Sequence, residues 1–138
     1  MSTPINSVGA DQIVARLDGL RDAIAAVEIN GRPLGEAVRY EPGAKTGDPI
    51  EVNIAPPEFL YDGNCFGPTR MRLQVFVVAV MSDITVHNLI ALERGVADAI
   101  DACDPNRCDA TVTGSTPGTW RKNGVDYPAY VITCEASI

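Results

Sequence analysis

An apolar stripe of helical period lies near the beginning of the chain. Its members recur every three or four residues, the spacing of one face of an amphipathic helix: Ile13, Leu17, Leu20, Ile24 and Val27. Charged residues occupy positions between them. We therefore predict a helix over residues 10–27, ended by Asn30-Gly31, because both residue types readily adopt the left-handed conformation that closes a helix.

The strongest strand signal lies in the middle of the chain. Apolar and polar residues alternate over residues 70–75, and residues 76–80 are all apolar. Alternation is typical of a strand with one exposed face, whereas a continuous apolar run indicates a strand covered on both faces. We predict that residues 70–81 form the central strand of a sheet.

A second amphipathic helix is predicted after this strand. Ser82 or Asp83 is suited to cap its N-terminus, and Asp104-Pro105 stops it near Cys103. Its apolar face comprises Val86, Leu89, Ile90, Val96, Ala97 and Ile100. Both helices are expected to pack on the sheet, because the apolar second half of the central strand must be covered on each face.

Shorter segments predict the rest of the sheet. Residues 37–41 and 50–55 lean towards β-structure and would form a hairpin with a long tip, since the segment between them contains two Pro and two Gly residues. Residues 56–69, PPEFLYDGNCFGPT, are predicted to form a long loop. Residues 109–113 and 127–138 are predicted strands, joined by a turn-rich connection, GSTPGTWRKNG, that would project as a hairpin. The predicted order is α-β-β-β-α-β-β.

Length and composition favour one α/β (α+β) domain over residues 1–138, with 46% hydrophobic and 21% charged residues. The formal net charge is −7 and the basic residues form no stripe, which disfavours binding to nucleic acids and to anionic membranes. Residues 73–82, the longest apolar stretch without charge, are too few to cross a membrane. The N-terminal sequence lacks the features of a signal peptide, so we expect a soluble intracellular protein.

The residues suited to catalysis or metal binding are scattered. His87, the only histidine, precedes Cys103 by 16 residues on the predicted helix, or about 24 Å along its axis. Cys103 and Cys108 leave three alternatives: a disulfide, two ligands of a zinc site, or free packed thiols. Phosphate-binding glycine loops and the common hydrolase and metalloprotease motifs do not occur. We predict no catalytic residue, no cofactor and no metal site.

Acidic residues crowd the end of the second predicted helix. Asp98, Asp101 and Asp104 lie there, where the helix dipole disfavours negative charge. They form either a solvated acidic end relieved by Arg107 or a docking patch for a basic partner. The segment from Asp104 also resembles the start of a calcium loop, but it lacks the glycine and the glutamate that such a loop requires.

Half of the eight aromatic residues fall in the predicted loop or in the hairpin connection. Accessible aromatic side chains mark protein interfaces, and Trp and Arg are enriched at interface hot spots. The alternative is that these segments fold back and cover an open face of the sheet. The candidate interface residues are Phe59, Leu60, Tyr61, Phe66, Trp120, Arg121 and Lys122.

Several of these features occur together in one known pattern. The first helix leads to Gly31 and Pro33, and the segment NIAPP precedes the long loop. The strand MRLQVFVVAV passes directly into the helix TVHNLIALERGVADAIDA, and GVDYPAYVITCE follows the hairpin connection. Over nearly its whole length, the chain resembles the tail terminator (tail completion) proteins of long-tailed bacteriophages.

This resemblance implies a subunit with two helices packed on one side of a mixed β-sheet, assembled into a hexameric ring. The ring would cap the tail tube, stop its polymerisation and join the tail to the head connector. The implied partners are further copies of the chain, the tail tube protein and the connector or neck protein. The implied location is the head-proximal end of the virion tail, after assembly in the host cytoplasm.

The net charge agrees with this role. Six chains at −7 carry −42, and an acidic lumen repels DNA phosphates, so DNA would pass through without specific binding. Three alternatives stay open: a neck or head-completion protein of the same virion, a small α/β enzyme, and a monomeric binding module. Co-purifying partners distinguish the first, a pocket joining His87 with Asp or Cys would favour the second, and a monomer in solution the third.

Overall fold

The computed structural model describes residues 5–29, 31–40, 50–61, 63, 67–80 and 86–138. These residues form two α-helices, one turn of 3-10 helix and eight strands. In chain order the elements are α1 (Ile5–Ala25), β1 (Glu28–Ile29), β2 (Arg32–Pro33), the 3-10 turn (Gly35–Ala37), β3 (Val38–Tyr40), β4 (Ile50–Ile54), β5 (Glu58–Leu60), β6 (Arg70–Ala79), α2 (Val86–Asp101), β7 (Ala110–Lys122) and β8 (Val125–Ser137).

Six strands form one mixed sheet. Five of them are hydrogen-bonded in the order β3-β4-β6-β8-β7, and β5 pairs with β6 on the same side as β4. β3 and β4 run parallel, and the other pairs are antiparallel. The predicted α+β class, with two helices and a mixed sheet, is confirmed. The predicted interior position of β6 is confirmed as well.

The two faces of β6 are covered by different elements. Alternate side chains from Met71 to Ala79 are buried in a core shared with α1 and α2. We call this side of the sheet the helix face and the opposite side the hairpin face. On the hairpin face, Arg72 is exposed whereas Val78 is 0% exposed. The second half of the strand is therefore covered on both sides, as its continuous apolar run predicts.

The first helix ends earlier than its sequence predicts. It stops at Ala25, and β1 and β2 then form a small antiparallel hairpin in which Ile29 pairs with Arg32. Gly31, directly before Arg32, has a φ of +80°. Because β1 already begins at Glu28, the prediction that the helix continues to residue 27 and is closed by Asn30-Gly31 is wrong. Asn30 itself lies outside the described residues. The predicted caps of the second helix, Ser82 and Asp83, lie outside the described residues.

The predicted hairpin between residues 37–41 and 50–55 is wrong in its direction. β3 and β4 pair in parallel, with Val38 opposite Val52. Either direction would bury these two valines, so the apolar pattern does not decide between them. Tyr40, two positions after Val38, lies on the same helix face, and its hydroxyl donates a hydrogen bond to Asp18 of α1 at 2.6 Å.

The predicted long loop over residues 56–69 contains a strand. β5 pairs with β6, placing Phe59 opposite Met71. The amide of Ala55 also donates to the carbonyl oxygen of Gln74 at 3.0 Å, so β5 follows β4 along the same edge of β6. Three residues are too few to display a strand period, which is why the sequence indicates only a loop.

The turn-rich connection after residue 113 is almost entirely strand. β7 and β8 pair as far as Lys122 and Val125, and the turn is Asn123-Gly124, with φ values of 53° and 79°. Gly114 adjoins a register shift, and Pro117 lies on the last strand of the sheet. Glycine at a bulge and proline on an edge strand are both compatible with a ladder. The two predicted strands are confirmed, but the broad connection between them is not.

Candidate interaction surface

The end of the β7–β8 hairpin lies over the hairpin face of the sheet. The pairing of β6 with β8 stops at Val78 and Ala129, whereas β7 and β8 continue together beyond that point. We call residues 119–128 the hairpin tip. Within it, the ring of Trp120 lies against the ring of Phe76 on β6, with centroids 4.7 Å apart and planes inclined at 54°. The only tryptophan of the chain thus contacts the sheet.

An ion pair attaches the tip to a more distant strand. Lys122 pairs with Glu51 of β4, although β6 and β8 lie between β4 and β7 in the sheet. Glu51 is only 2% exposed. Arg39 Nη1 lies 3.9 Å from its Oε2, and the side-chain amide of Asn53 donates to its Oε1 at 3.4 Å. These partners offset the cost of burying a carboxylate.

The hairpin curves towards this face over a segment that contains two glycines. Gly118 pairs with Ala129, and a Cβ placed on Gly118 would make an ordinary van der Waals contact with Val131 Cγ2 at 3.5 Å. The register shift at Gly114 adds twist, as bulges do. Together these features bring Trp120 and Lys122, two positions apart on one strand face, onto Phe76 and Glu51.

Arg121 has a different environment from its two neighbours. Since side chains alternate along a strand, it lies on the opposite face of the hairpin from Trp120 and Lys122. Its Nε donates to Asp126 at 3.0 Å, and the pair is well exposed. The structure therefore brings together two of the three predicted tip residues and separates the third.

The aromatic residues of the predicted loop contribute to a separate surface. Phe59 and Tyr61 line an apolar cleft of about 650 Å³ against α1. They are 39% and 64% exposed, and Val14 of α1 is 53% exposed beside them. Leu60 lies opposite Arg70, on the other side of β5 from Phe59. Phe66 lies outside the described residues. The candidate interface residues that are described therefore divide between this cleft and the hairpin tip.

Sequence reasoning missed three residues of these surfaces. Val14 lies off the apolar stripe of α1, so its exposure matters only because the cleft adjoins it. Glu51 looks like a solvated residue in the alternating segment IEVNI, yet it is buried. Phe76 carried a usable signal, because it begins the apolar run that predicts cover on both faces.

The far end of the hairpin face is polar. Arg72 pairs with Glu58 at 3.2 Å and with Glu135 at 3.1 Å, and Arg70 also pairs with Glu135. The hydrogen bonds and charge of Glu135 raise the pKa of the Arg72 guanidinium above its usual value. Exposed pairs of this kind contribute little stability. They form a charged surface next to the apolar contacts of the tip.

The described cysteines are buried free thiols. Burial raises the pKa of Cys103, raises that of Cys108 to about 11 and raises that of Cys134 to about 12. Of the three alternatives for Cys103 and Cys108, the structure contains the free packed thiols. His87 is exposed on α2. Among the described residues, no group of three or more His, Cys, Asp or Glu side chains is arranged to hold a metal ion.

The carboxylates at the end of α2 have local partners, but Arg107, which the sequence suggests, is not one of those shown. Arg107 instead pairs with Asp22 of α1 at 3.1 Å. Each carboxylate has another partner: Asp98 pairs with Arg94 at 2.8 Å, Asp101 accepts from the amide of Val112 at 2.8 Å, and Asp104 accepts from the amide of Asn106 at 3.0 Å. Arg107 therefore ties the segment that follows α2 to α1.

Comparisons with known proteins add no relative to this picture. No known protein family matches the chain, and no curated protein sequence does. In the part of the chain that the structure describes, no helix is both long and apolar enough to cross a membrane.

Proposed function

We propose that this protein is a tail terminator: a structural subunit that forms a ring on the tail tube of a long-tailed bacteriophage, stops tube growth and joins the tail to the head connector. The proposal begins from the resemblance in the sequence. It is supported by the fold, since the two helices, the mixed sheet and the terminal hairpin correspond to the architecture that the resemblance implies.

The observation that carries the proposal is the position of two unlike surfaces. The cleft with Phe59 and Tyr61 adjoins β5, which flanks β6 on one side. The long strand β7 lies beyond β8 at the opposite edge of the sheet. A closed head-to-tail ring requires two different surfaces on each subunit, because each copy contacts one neighbour through each of them.

The exposed side chains suit protein contacts. Val14, Phe59 and Tyr61 form an apolar patch beside the cleft. The tip adds Trp120 and, on its other face, Arg121, two residue types that are enriched at interface hot spots. We propose that these surfaces contact neighbouring copies, the tail tube protein and the connector or neck protein, and that the role is structural and requires no cofactor.

The charge of the proposed ring favours the passage of DNA. Six copies at −7 carry −42, and a negative lumen repels phosphates at short range. DNA would therefore pass without specific binding. We place the ring at the head-proximal end of the virion tail, after assembly in the host cytoplasm.

Electron microscopy of phage tails tests the proposal. Tails are purified from cells that express the protein with a small epitope tag, and gold-labelled antibody locates it. We expect label at the head-proximal end only, and we expect overlong or headless tails when the gene is deleted. Label on tail-free heads would instead favour the head-completion alternative. Absence of label from both would contradict a role in the virion neck.

Addition of the pure protein to growing tubes gives a second measurement. We expect tubes to stop elongating at a protein-to-tube-end ratio near one ring per end. Unchanged elongation, together with correctly folded protein, would contradict termination.

A further inference from the structure

We propose that the hairpin tip is exchanged between copies: Trp120 and Lys122 of one subunit dock on Phe76 and Glu51 of the next, replacing the same contact within one chain. The inference rests on the proposed function, because it assigns the contact between ring neighbours. Its partner is a second copy of this chain.

The first argument is the way in which the tip is attached. Beyond the Val78–Ala129 pair, β7 and β8 pair with each other, and the tip reaches the sheet through side chains. These contacts include the Trp120–Phe76 ring contact and the Lys122–Glu51 ion pair. A segment that side-chain contacts hold against the sheet can detach without breaking the central ladder.

The second argument is the specificity of the receiving site. A carboxylate that is 2% exposed requires a cation, and the neighbouring Phe76 ring offers a face to an aromatic side chain. A segment that binds this site must therefore carry an aromatic residue and a cation, two positions apart on one strand face. Trp120 and Lys122 of any copy meet this requirement.

The third argument is reach. The Gly118–Ala129 pair, where β6 stops pairing with β8, is the point beyond which the tip can move. From Gly118 to Lys122 a strand extends by about 13 Å. This length exceeds the spacing of about 5 Å between neighbouring strands, so the tip can leave its own sheet and reach a subunit packed against it.

Exchange keeps the same contacts but makes them between neighbouring subunits, which links the subunits together. Each tip still meets one Phe76 and one Glu51, so the enthalpy of docking is retained. In dilute solution the contact within the chain has the advantage of high effective concentration. In a ring, the other surfaces hold neighbours together and remove this advantage, as in domain swapping.

Charge-swapped variants test the exchange in the purified protein. Lys122→Glu places a carboxylate opposite Glu51, and Glu51→Lys places an ammonium group opposite Lys122, so each variant loses its internal docking. Mixed together, each tip matches the receiving site of the other variant. We expect two monomers that form oligomers with an even number of chains on mixing, measured by light scattering. The emission of the single tryptophan should shift to the red in each variant and back to the blue in the mixture.

The controls distinguish docking at the Glu51 site from nonspecific attraction between opposite charges. The double variant, with both changes in one chain, should restore the monomeric emission. Glu58→Lys, a charge reversal on the exposed part of the same face, should not oligomerise with Lys122→Glu. A mixture that stays monomeric, with emission equal to the average of its components, overturns the exchange.

Cysteine variants replace the charge swap if circular dichroism shows that Glu51→Lys is unfolded. Lys122→Cys and Glu51→Cys are mixed, in chains whose Cys65 is replaced by Ser, and treated with a bifunctional maleimide reagent. A reagent with a spacer is needed because a disulfide requires Cα atoms within about 7 Å, and two cysteine side chains are shorter than the lysine and glutamate that they replace. A cross-linked dimer that forms only in the mixture supports exchange, and its absence overturns it. These measurements involve no tails. If gold label is found at the tail end but the mixed variants show no exchange, only this inference is overturned. If the variants exchange but no gold label is found at the tail end, only the proposed function is overturned.

Discussion

Lys122 and Glu51 are 71 residues apart in sequence and lie on strands separated by two others, yet their side chains form an ion pair. The pair is possible because the β7–β8 hairpin curves across the sheet. It covers the second half of β6 on the side away from the helices. The hairpin therefore contributes to the stability of the fold as well as to the candidate interface.

Glu51→Gln should destabilise the protein by about 3 kcal/mol. The substitution keeps the shape of the side chain but leaves Lys122 and Arg39 beside a neutral amide, and breaking a buried ion pair from one side typically costs about this much. Urea unfolding measures the free energy. Glu58→Gln is the matched control, since Glu58 pairs with Arg72 at the surface and its loss should cost less than about 1 kcal/mol. Equal effects would contradict the importance of burial.

Val78→Asp should abolish cooperative folding. Val78 is 0% exposed, between Glu51 on β4 and Ala129 on β8, so an aspartate there would be buried without a cation of its own. Circular dichroism during heating checks the result. Gln74→Asp changes an exposed position on the same face and should keep a thermal transition. A soluble Val78→Asp protein with the melting temperature of the parent would refute the placement of the strand.

Trp120→Ala should leave the subunit folded but weaken ring formation or tail joining. The ring is half-buried against Phe76, so the cost to the subunit should stay below the roughly 3–5 kcal/mol of a fully buried aromatic residue. An interface hot spot would lose more than about 2 kcal/mol of binding. Arg121→Ala tests the opposite face of the same hairpin. Severe destabilisation of the subunit with normal assembly would assign Trp120 to the core alone.

Gly19→Ala should destabilise the protein by about 1–3 kcal/mol, because overpacking forces neighbouring atoms apart. This effect should outweigh the higher helix propensity of alanine. A Cβ at Gly19 would lie 3.0 Å from Arg107 Cβ and 3.1 Å from the carbonyl oxygen of Arg107. Gly9→Ala is the control on the same helix, where a Cβ meets nothing within 4 Å. It should stabilise by about 0.5–1 kcal/mol. Thermal unfolding of both variants should show opposite shifts in Tm.

Stability should fall as the pH rises above 9. Burial raises the pKa of Cys108 to about 11 and of Cys134 to about 12, from an ordinary value of 9.0. Above pH 9 the unfolded chain loses these protons while the folded chain keeps them, so unfolding is favoured by up to about 1.4 kcal/mol per pH unit for each thiol. Urea unfolding from pH 8 to 10.5 measures the slope. Cys134→Ala should reduce it, and an unchanged slope would exclude Cys134 as a cause.

Elements with a local hydrophobic period can be predicted from the amino-acid order alone. The stripe from Ile13 predicts α1, and the change from alternation to a continuous apolar run at Phe76 predicts a strand that is covered on one face and then on both. Such patterns indicate which face of an element is buried, because apolar side chains favour burial and polar side chains favour contact with water. The positions of the aromatic residues, in a predicted loop and a turn-rich connection, make Phe59, Tyr61 and Trp120 candidate interface residues.

The direction of β3, the partners of buried polar groups and the path of the β7–β8 hairpin depend on packing in three dimensions. Val38 and Val52 are buried whether their strands run parallel or antiparallel, and the alternation around Glu51 is the same for an exposed carboxylate as for one paired with Lys122. Gly114 and Pro117 indicate a turn in isolation but are accommodated by a bulge and an edge strand. These outcomes depend on contacts between residues far apart in the chain, and hydrophobic periodicity carries no information about which distant segment supplies the contact.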